Sequence, residues 1–444
     1  MNQLAAARSH FAFFPHAQLV RGQVGAAVHD LFLGRLFWIR DGAAADALAR
    51  MAAGADADAA ADAAALPRET LDQYLAALAA LDLGTIVPTR TAHHIFRPLF
   101  SPMQAREMGV FRPHGRVTVE LANACVFDCP WCTSLNTLTP LACHCGVWPA
   151  RGPRLHPDER AAVIARLAEQ GVTSIVVRGG EPLLQWDDLL ALLRIASALH
   201  LHCEIHSTGV GLTEDRVAAL KEHDAHMVLL FASPDDAEFD QLVRRRGAGM
   251  ALRHAVFMLR RAGVPFSAKV PVSIRAEERG GVLTEWAIAS GAKRVEQIDY
   301  GLERDGCALE ELREKTGPAS PQRMGVGTQD FFANVECQNC FANACCVAAD
   351  GRLQLCIAAR NALADLTREP ITQVLREDRI SAARAGTARA DIPACGRCEF
   401  RYGCQACLVR SGSQVNGEYG RHWNCAYDPA RSDLAVKATS NSCF

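Results

Sequence analysis

Eighteen cysteines in 444 residues fall almost entirely into two groups. None precedes Cys125, five lie between Cys125 and Cys145, and ten lie between Cys337 and Cys425. Clustered thiols in a long chain without a secretion signal point to metal or redox chemistry in a reducing compartment, not to disulfides. The opening stretch MNQLAAARSHFAFFPHAQ has one Arg and no apolar block before a small-residue cleavage site, so a cytoplasmic protein is expected. No apolar run is long enough to span a bilayer. Basic and acidic residues balance at 47 against 49, which argues against nucleic acid as the main partner. Cys203, Cys307 and Cys443 stand alone and read as buried thiols or bystanders.

The first group contains Cys125-Val-Phe-Asp-Cys129-Pro-Trp-Cys132. Three thiolates within eight residues can wrap one face of a cubane cluster, one sulfur to each iron. Three protein ligands for four irons leave one iron open, as catalytic metal sites keep a vacant position for substrate. The alternative is a zinc loop with Cys143, His144 or Cys145 as fourth ligand.

Around this loop the pattern alternates. RVTVELA, TSIVVRG, HCEIHST, HMVLLFA, FSAKVPV and RVEQIDY read as strands, and helical patterns fall near 157–170, 186–200, 213–223, 247–262 and 282–290. Six strands joined by helical crossovers imply a parallel sheet, open or curved into a partial barrel, with its chemistry at the C-terminal strand ends.

The CxxxCxxC loop after a first strand resembles the radical S-adenosylmethionine superfamily, and Trp131 fits that pattern. Gly179-Gly180-Glu181-Pro182, ending the second strand, resembles the family's GGEP element. Two glycines let backbone approach a ligand, Pro182 stiffens the turn, and exposed carbonyls with the Glu181 carboxylate can hold a methionine ammonium. Ser207-Thr208-Gly209 stands where relatives have Thr-Asn-Gly, and Ser233-Pro-Asp235 where they have Ser-Leu-Asp. A cofactor role for Ser207, Thr208 and Ser233 follows from the resemblance; Ser233 and Asp235 read equally as helix caps. Lys269 faces either the cofactor carboxylate or, the favoured reading, solvent. The resemblance implies a [4Fe–4S] cluster whose open iron chelates S-adenosylmethionine. Reductive cleavage then yields a 5′-deoxyadenosyl radical that takes a hydrogen atom from substrate.

The later cysteines resemble the SPASM extension of radical peptide maturases. Gly351-Arg-Leu-Gln-Leu-Cys356 matches its first element, Cys395, Cys398 and Cys404 its CxxCx5C element, and Cys425 its last cysteine; Cys407 comes one residue early. The resemblance implies two auxiliary [4Fe–4S] clusters. One would use Cys395, Cys398, Cys404 and Cys425. The other would use Cys356, Cys407 and two of Cys337, Cys340, Cys345 and Cys346, with Cys340 and Cys346 chosen. A pair of zinc ribbons is the alternative.

At the N-terminus, AQLVRGQVGAAVHDLFLGRLFWIR reads as a three-stranded meander. It is followed by a helix capped by Asp41, an Ala/Asp-biased helix, and a helix with Leu71, Tyr74, Leu75, Leu78 and Leu81 on one side and Gly84 at its end. This winged-helix-like α+β unit resembles the PqqD-like element that binds leader peptides, for which β-augmentation at a sheet edge is a physical route; a structural or dimerising domain is the alternative.

The expected α/β architecture is therefore a PqqD-like domain at 10–90, a partial (β/α)6 TIM-like barrel at 114–301 and a SPASM domain at 335–430. The expected activity is radical maturation of a ribosomally made precursor peptide, foremost by a carbon–carbon or thioether cross-link, fed by a flavodoxin- or ferredoxin-type electron donor. Oxidation, excision or epimerisation of a residue is the alternative chemistry, and a metal-stabilised binding protein the alternative class. Asp299, Tyr300 and Glu303 lie near the end of the last strand, without an assigned role.

Overall fold

The computed structural model describes residues 9–87, 115–121, 124–129, 154–272, 277–299, 325–343, 345–357, 359, 361–393, 395–404, 408, 425, 427–431 and 433–434. Cα packing groups the chain into two compact units. One comprises Met1–Glu107, Gly317–Asn339 and Arg384–Phe444, the other Met108–Thr316 and Cys340–Ala383. The N-terminal segment and the last cysteines thus share a unit. Among the described residues no helix is long and apolar enough to cross a membrane.

In the first unit, strands β2 (Ala17–Arg21), β3 (Ala26–Asp30) and β4 (Arg35–Ile39) form the expected antiparallel meander. Helices α1 (Gly42–Ala52), α2 (Ala57–Ala63) and α3 (Arg68–Ala80) follow. Asp41 caps α1 by accepting from the Ala43 and Ala44 amides, and Asp56 caps α2 through Ala59. Leu71, Leu75 and Leu78, spaced at four and three residues, bury one face of α3 against Val28, Ile39, Leu48 and Met51. Gly84 does not end α3. The helix stops at Leu81, Asp82 takes a left-handed φ of 57°, and Gly84 opens strand β5 (Gly84–Val87), paired with β1 (His10–Phe13). Its lack of a side chain serves packing: a Cβ there would come within 2.4 Å of the Phe11 ring.

All five residues of β3 are buried. Ala26 and Val28 face the helices, while Ala27 on the opposite face packs with Phe400 and Tyr427 from the C-terminal segment. Phe331, on the helix Thr328–Glu336, joins Val20 and Leu31 in a further apolar group.

The second unit alternates strand and helix: β6 (Arg116–Glu120), α4 (Pro157–Glu169), β7 (Ser174–Arg178), α5 (Trp186–Ala198), β8 (His202–Ser207), α6 (Glu214–Glu222), β9 (His226–Leu230), α7 (Asp236–Val243), α8 (Ala248–Ala262), β10 (Phe266–Val272), α9 (Glu277–Ala289) and β11 (Val295–Asp299). The six strands are parallel and lie in chain order, as the alternation predicted. Helix α7 was not among the expected helical ranges, although a cap at Asp235 was, and α9 starts five residues before its expected 282. Val117, Val119, Ile175, Val177, Ile205, Leu229 and Val270 bury one face of the sheet against the helices.

The sheet continues past β6. Strand β12 (Cys345–Val347) pairs parallel with β6, and β13 (Arg352–Gln354) and β14 (Ala364–Asp365) extend it antiparallel. Part of the cysteine-rich segment is therefore sheet built onto the barrel rather than a structure organised by metal alone.

Candidate active site

The site begins where β6 and β7 end. The Ala124 carbonyl, just before Cys125, accepts from the Glu181 amide at 2.8 Å. Gly179 and Gly180 have φ of 95° and 61°, a region that glycine enters without penalty. A Cβ on Gly180 would lie 2.1 Å from the Ala124 oxygen. The cysteine loop and the diglycine turn are thus in direct backbone contact, and only glycine allows it.

The loop is fixed at several points. Cys129 is buried and Cys125 half-buried. The Phe127 amide donates to the Cys125 sulfur at 3.5 Å, an interaction that favours a thiolate. Asp128 donates its amide to the Val243 carbonyl at 3.1 Å, and Arg245 donates to the Val126 carbonyl at 3.1 Å. Trp131 and Cys132 lie outside the described residues, as does the segment carrying Cys143, His144 and Cys145.

Glu181 is held by protein groups on every side. Its side chain has no exposed surface, and the carboxylate accepts from the Leu183 amide (2.9 Å), the Ser207 hydroxyl (2.8 Å) and the Thr208 amide (2.6 Å) and hydroxyl (2.5 Å). Burial pushes its pKa up, and the bonds from Thr208, Leu183 and Ser207 work against that. A carboxylate so occupied is a clamp between the β7 turn and the end of β8, leaving backbone carbonyls as the groups here for an ammonium. Ser207 and Thr208 spend their hydroxyls on the same clamp. Pro182 starts a short 3-10 turn, Pro182–Gln185. Ser233 donates to Glu238 at 2.6 Å and accepts from the Asp235 amide at 3.1 Å, while Asp235 caps α7; the capping reading describes this pair.

Lys269 is not at solvent. It is 5% exposed, with its Nζ 3.7 Å from Glu296. It belongs to a polar set on the sheet face opposite the helices. Glu204 accepts from Arg116 at 2.8 Å and lies 2.7 Å from the His206 ring, and Glu120 stands in register with Arg178. The sequence reading missed this set. Its signal was polar residues at alternate positions of RVTVE, HCEIHS and FSAKV. The side chain of Asp299, and all of Tyr300 and Glu303, lie outside the described residues.

Among the later cysteines, Cys398 and Cys425 pack against Ala27, Phe400 and Tyr427. Burial pushes the Cys398 thiol well up, the Phe400 amide hydrogen bond opposes this, and the negative charges of Glu399, Cys404 and Cys425 add to the rise. Cys398 thus lies within electrostatic reach of Cys404 and Cys425, members with it of one expected ligand set. Cys345 packs in the barrel core and burial pushes its thiol to about 12, whereas Cys346 is in register with Thr118. Cys203 is likewise a core thiol raised to about 12. Cys407 lies outside the described residues. Among the described residues no three His, Cys, Asp or Glu side chains form a group suited to a single metal ion.

The radical SAM superfamily model matches residues 119–274, which span the cysteine loop, the diglycine turn and strands β7 to β10. These residues form a radical SAM domain. Such a domain works with S-adenosylmethionine and a [4Fe–4S] cluster, and the loop of Cys125 and Cys129 touching a glycine turn suits both. The PqqA peptide cyclase of Methylocella silvestris is 26% identical over 188 residues, 42% of this chain and 47% of that one. The PqqA peptide cyclase of Gluconobacter oxydans is 27% identical over 237 residues, 50% of this chain and 63% of that one. The chain spans about half the length of the curated relatives it matches. In fold, SuiB of Streptococcus suis, solved with S-adenosylmethionine, superposes with a TM-score of 0.54 at 14% identity, over 94% of this chain and 99% of that one.

Proposed function

We propose that this chain is a radical S-adenosylmethionine peptide maturase that cross-links a ribosomally made precursor. The observation that carries the reading is the backbone contact between the loop of Cys125 and Cys129 and the Gly180–Glu181 turn. Cys125, Cys129 and Cys132 would hold the cluster. Trp131 and the backbone of Gly179 and Gly180 would flank the bound nucleotide. When bound, cluster and S-adenosylmethionine supply a one-electron route to hydrogen-atom abstraction. The chain's own part is positional. Glu181, clamped by Ser207 and Thr208, holds the turn at the mouth of β7, Pro182 fixes its exit, and Ser233 sets the start of α7 beyond β9. The polar face with Glu120, Arg178, His206 and Lys269 would line the approach of the peptide.

Cys395, Cys398, Cys404 and Cys425 would hold one auxiliary [4Fe–4S] cluster, and Cys340, Cys346, Cys356 and Cys407 a second. The PqqD-like sheet at the N-terminus would take an extended leader by β-augmentation. The relatives named as PqqA peptide cyclases favour cross-linking over oxidation, excision or epimerisation. A flavodoxin- or ferredoxin-type donor in the cytoplasm would supply the electron.

Anaerobic purification tests the reading. The expected product is a brown protein with about twelve irons that releases 5′-deoxyadenosine on reduction. Co-expression with a short open reading frame beside its gene should then yield a peptide lighter by two hydrogen atoms. A colourless zinc protein overturns the proposal. A larger mass loss replaces cross-linking by excision.

A further inference from the structure

The first unit holds a buried carboxylate that the proposed reaction does not use. Glu399, between Cys398 and Phe400, has no exposed surface. Its Oε1 accepts from the Trp38 indole N–H at 3.2 Å and from the Tyr427 hydroxyl. Trp38 lies on β4, 361 residues earlier in the chain. Gly22 abuts the same carboxylate, since a Cβ there would lie 2.4 Å from its Oε2. Further bonds carry the join on: the Gln23 amide donates to the Arg397 carbonyl at 2.8 Å, and the Arg401 guanidinium donates to the carbonyls of Arg21 (2.9 Å) and Cys398 (2.8 Å). The rings of Trp38, Phe400 and Tyr427 meet edge to face at 4.9 to 6.0 Å, and Cys398 and Cys425 lie against them.

Burying a carboxylate is costly unless donors meet it. Here the donors come from β4 and from two residues past Cys425, so one side chain gathers the N-terminal sheet and both ends of a four-cysteine set. We propose that Glu399 is a positioning residue for the cluster of Cys395, Cys398, Cys404 and Cys425, and that the N-terminal sheet, through Trp38, forms a wall of that cluster site. This rests on the auxiliary-cluster reading above. The carboxylate fixes the loop between Cys398 and Cys404 against the sheet. Its negative charge, one residue from a ligand in a dry environment, opposes an added electron and so lowers the cluster's reduction potential.

The test uses the full chain, purified anaerobically, with iron analysis and redox titration followed by electron paramagnetic resonance. Glu399→Gln keeps an acceptor for both donors and removes the charge; iron content should hold while the midpoint of one cluster moves upward. Trp38→Phe keeps the ring packing and removes the N–H; the spectrum of the same cluster should change. Glu399→Ala should lose about four irons per chain. Wild-type potentials and spectra in both Glu399→Gln and Trp38→Phe overturn the proposal. If Glu399→Gln fails to fold, Trp38→Phe decides, a changed spectrum supporting the proposal and an unchanged one overturning it. A wild-type protein with about four irons in all overturns the auxiliary-cluster reading and this proposal with it. A wild-type protein with about twelve and unmoved variants overturns this proposal alone.

Discussion

The loop of Cys125 and Cys129 and the loop of Cys395 to Cys404 are built from the same parts in different ways. Each has an amide donating to a cysteine sulfur, from Phe127 to Cys125 and from Phe400 to Cys398. Each has a glycine pressed against it and a fully buried glutamate beside it. In the first, Gly180 meets backbone, the Ala124 carbonyl, and Glu181 is held by residues up to 27 positions away on the next strand. In the second, Gly22 meets first the Glu399 carboxylate, with the Glu399 backbone nitrogen behind it at 3.0 Å, and the glutamate's donor Trp38 is 361 positions away. The first is a local device of one β/α repeat, so it travels as a motif. The second exists only when the two ends of the chain have folded together.

Substitutions probe that contrast. The largest effect is expected at Gly180→Ala. The new methyl collides with a carbonyl that cannot move without moving Cys125, in a backbone region that alanine resists. Misplacing reacting groups by about 1 Å costs about a hundredfold, so 5′-deoxyadenosine release should fall by about that factor; near-normal release would dissolve the distinction between the loops. Glu181→Ala comes next. It strands two hydroxyls and two amides, and chemical denaturation should show a loss of about 3 kcal/mol.

His29 sharpens the second loop. Its buried ring packs against Phe331, with Nε2 3.4 Å from the Glu399 carbonyl. Burial lowers its pKa from 6.5 to about 4; the bond to Glu399 opposes the shift and the Arg401 charge adds to it. The unfolded chain therefore binds the proton first. The stability owed to the neutral ring is complete above pH 6.5 and is lost as pH falls through about 4. Between pH 6.5 and 5 the loss should be about 2 kcal/mol, and His29→Gln should flatten that part of the denaturation profile. Gly22→Ala should show the smallest effect, about 1 kcal/mol, because Gly22 lies outside the left-handed region and the new methyl meets first the tip of a side chain, the Glu399 Oε2, not a carbonyl. A cost there equal to that of Glu181→Ala would make the two devices equally rigid.

The same contrast explains what could be read from residues alone. CxxxCxxC and GGEP are short, so their spacing announced a loop and a turn; the clamp on the Glu181 carboxylate went unread because its partners, Ser207 and Thr208, were themselves assigned to a ligand. The six barrel strands showed through their apolar alternation, but the polar residues at intervening positions went unread, and Lys269 was placed in solvent. No periodicity links Trp38 to Glu399, or Cys346 to Thr118. Such pairings follow from tertiary packing between distant segments, which leaves no mark in a local window.

Strand β12 has a practical consequence. A partial barrel begins with a strand whose outer side has no neighbour, and a bare strand flank recruits other chains. Here the first strand, β6, which leads into Cys125, is sheathed by Cys345–Val347. A polypeptide cut before Cys345 would leave that flank naked, and self-association should accompany the loss, so the radical SAM segment is not a portable module.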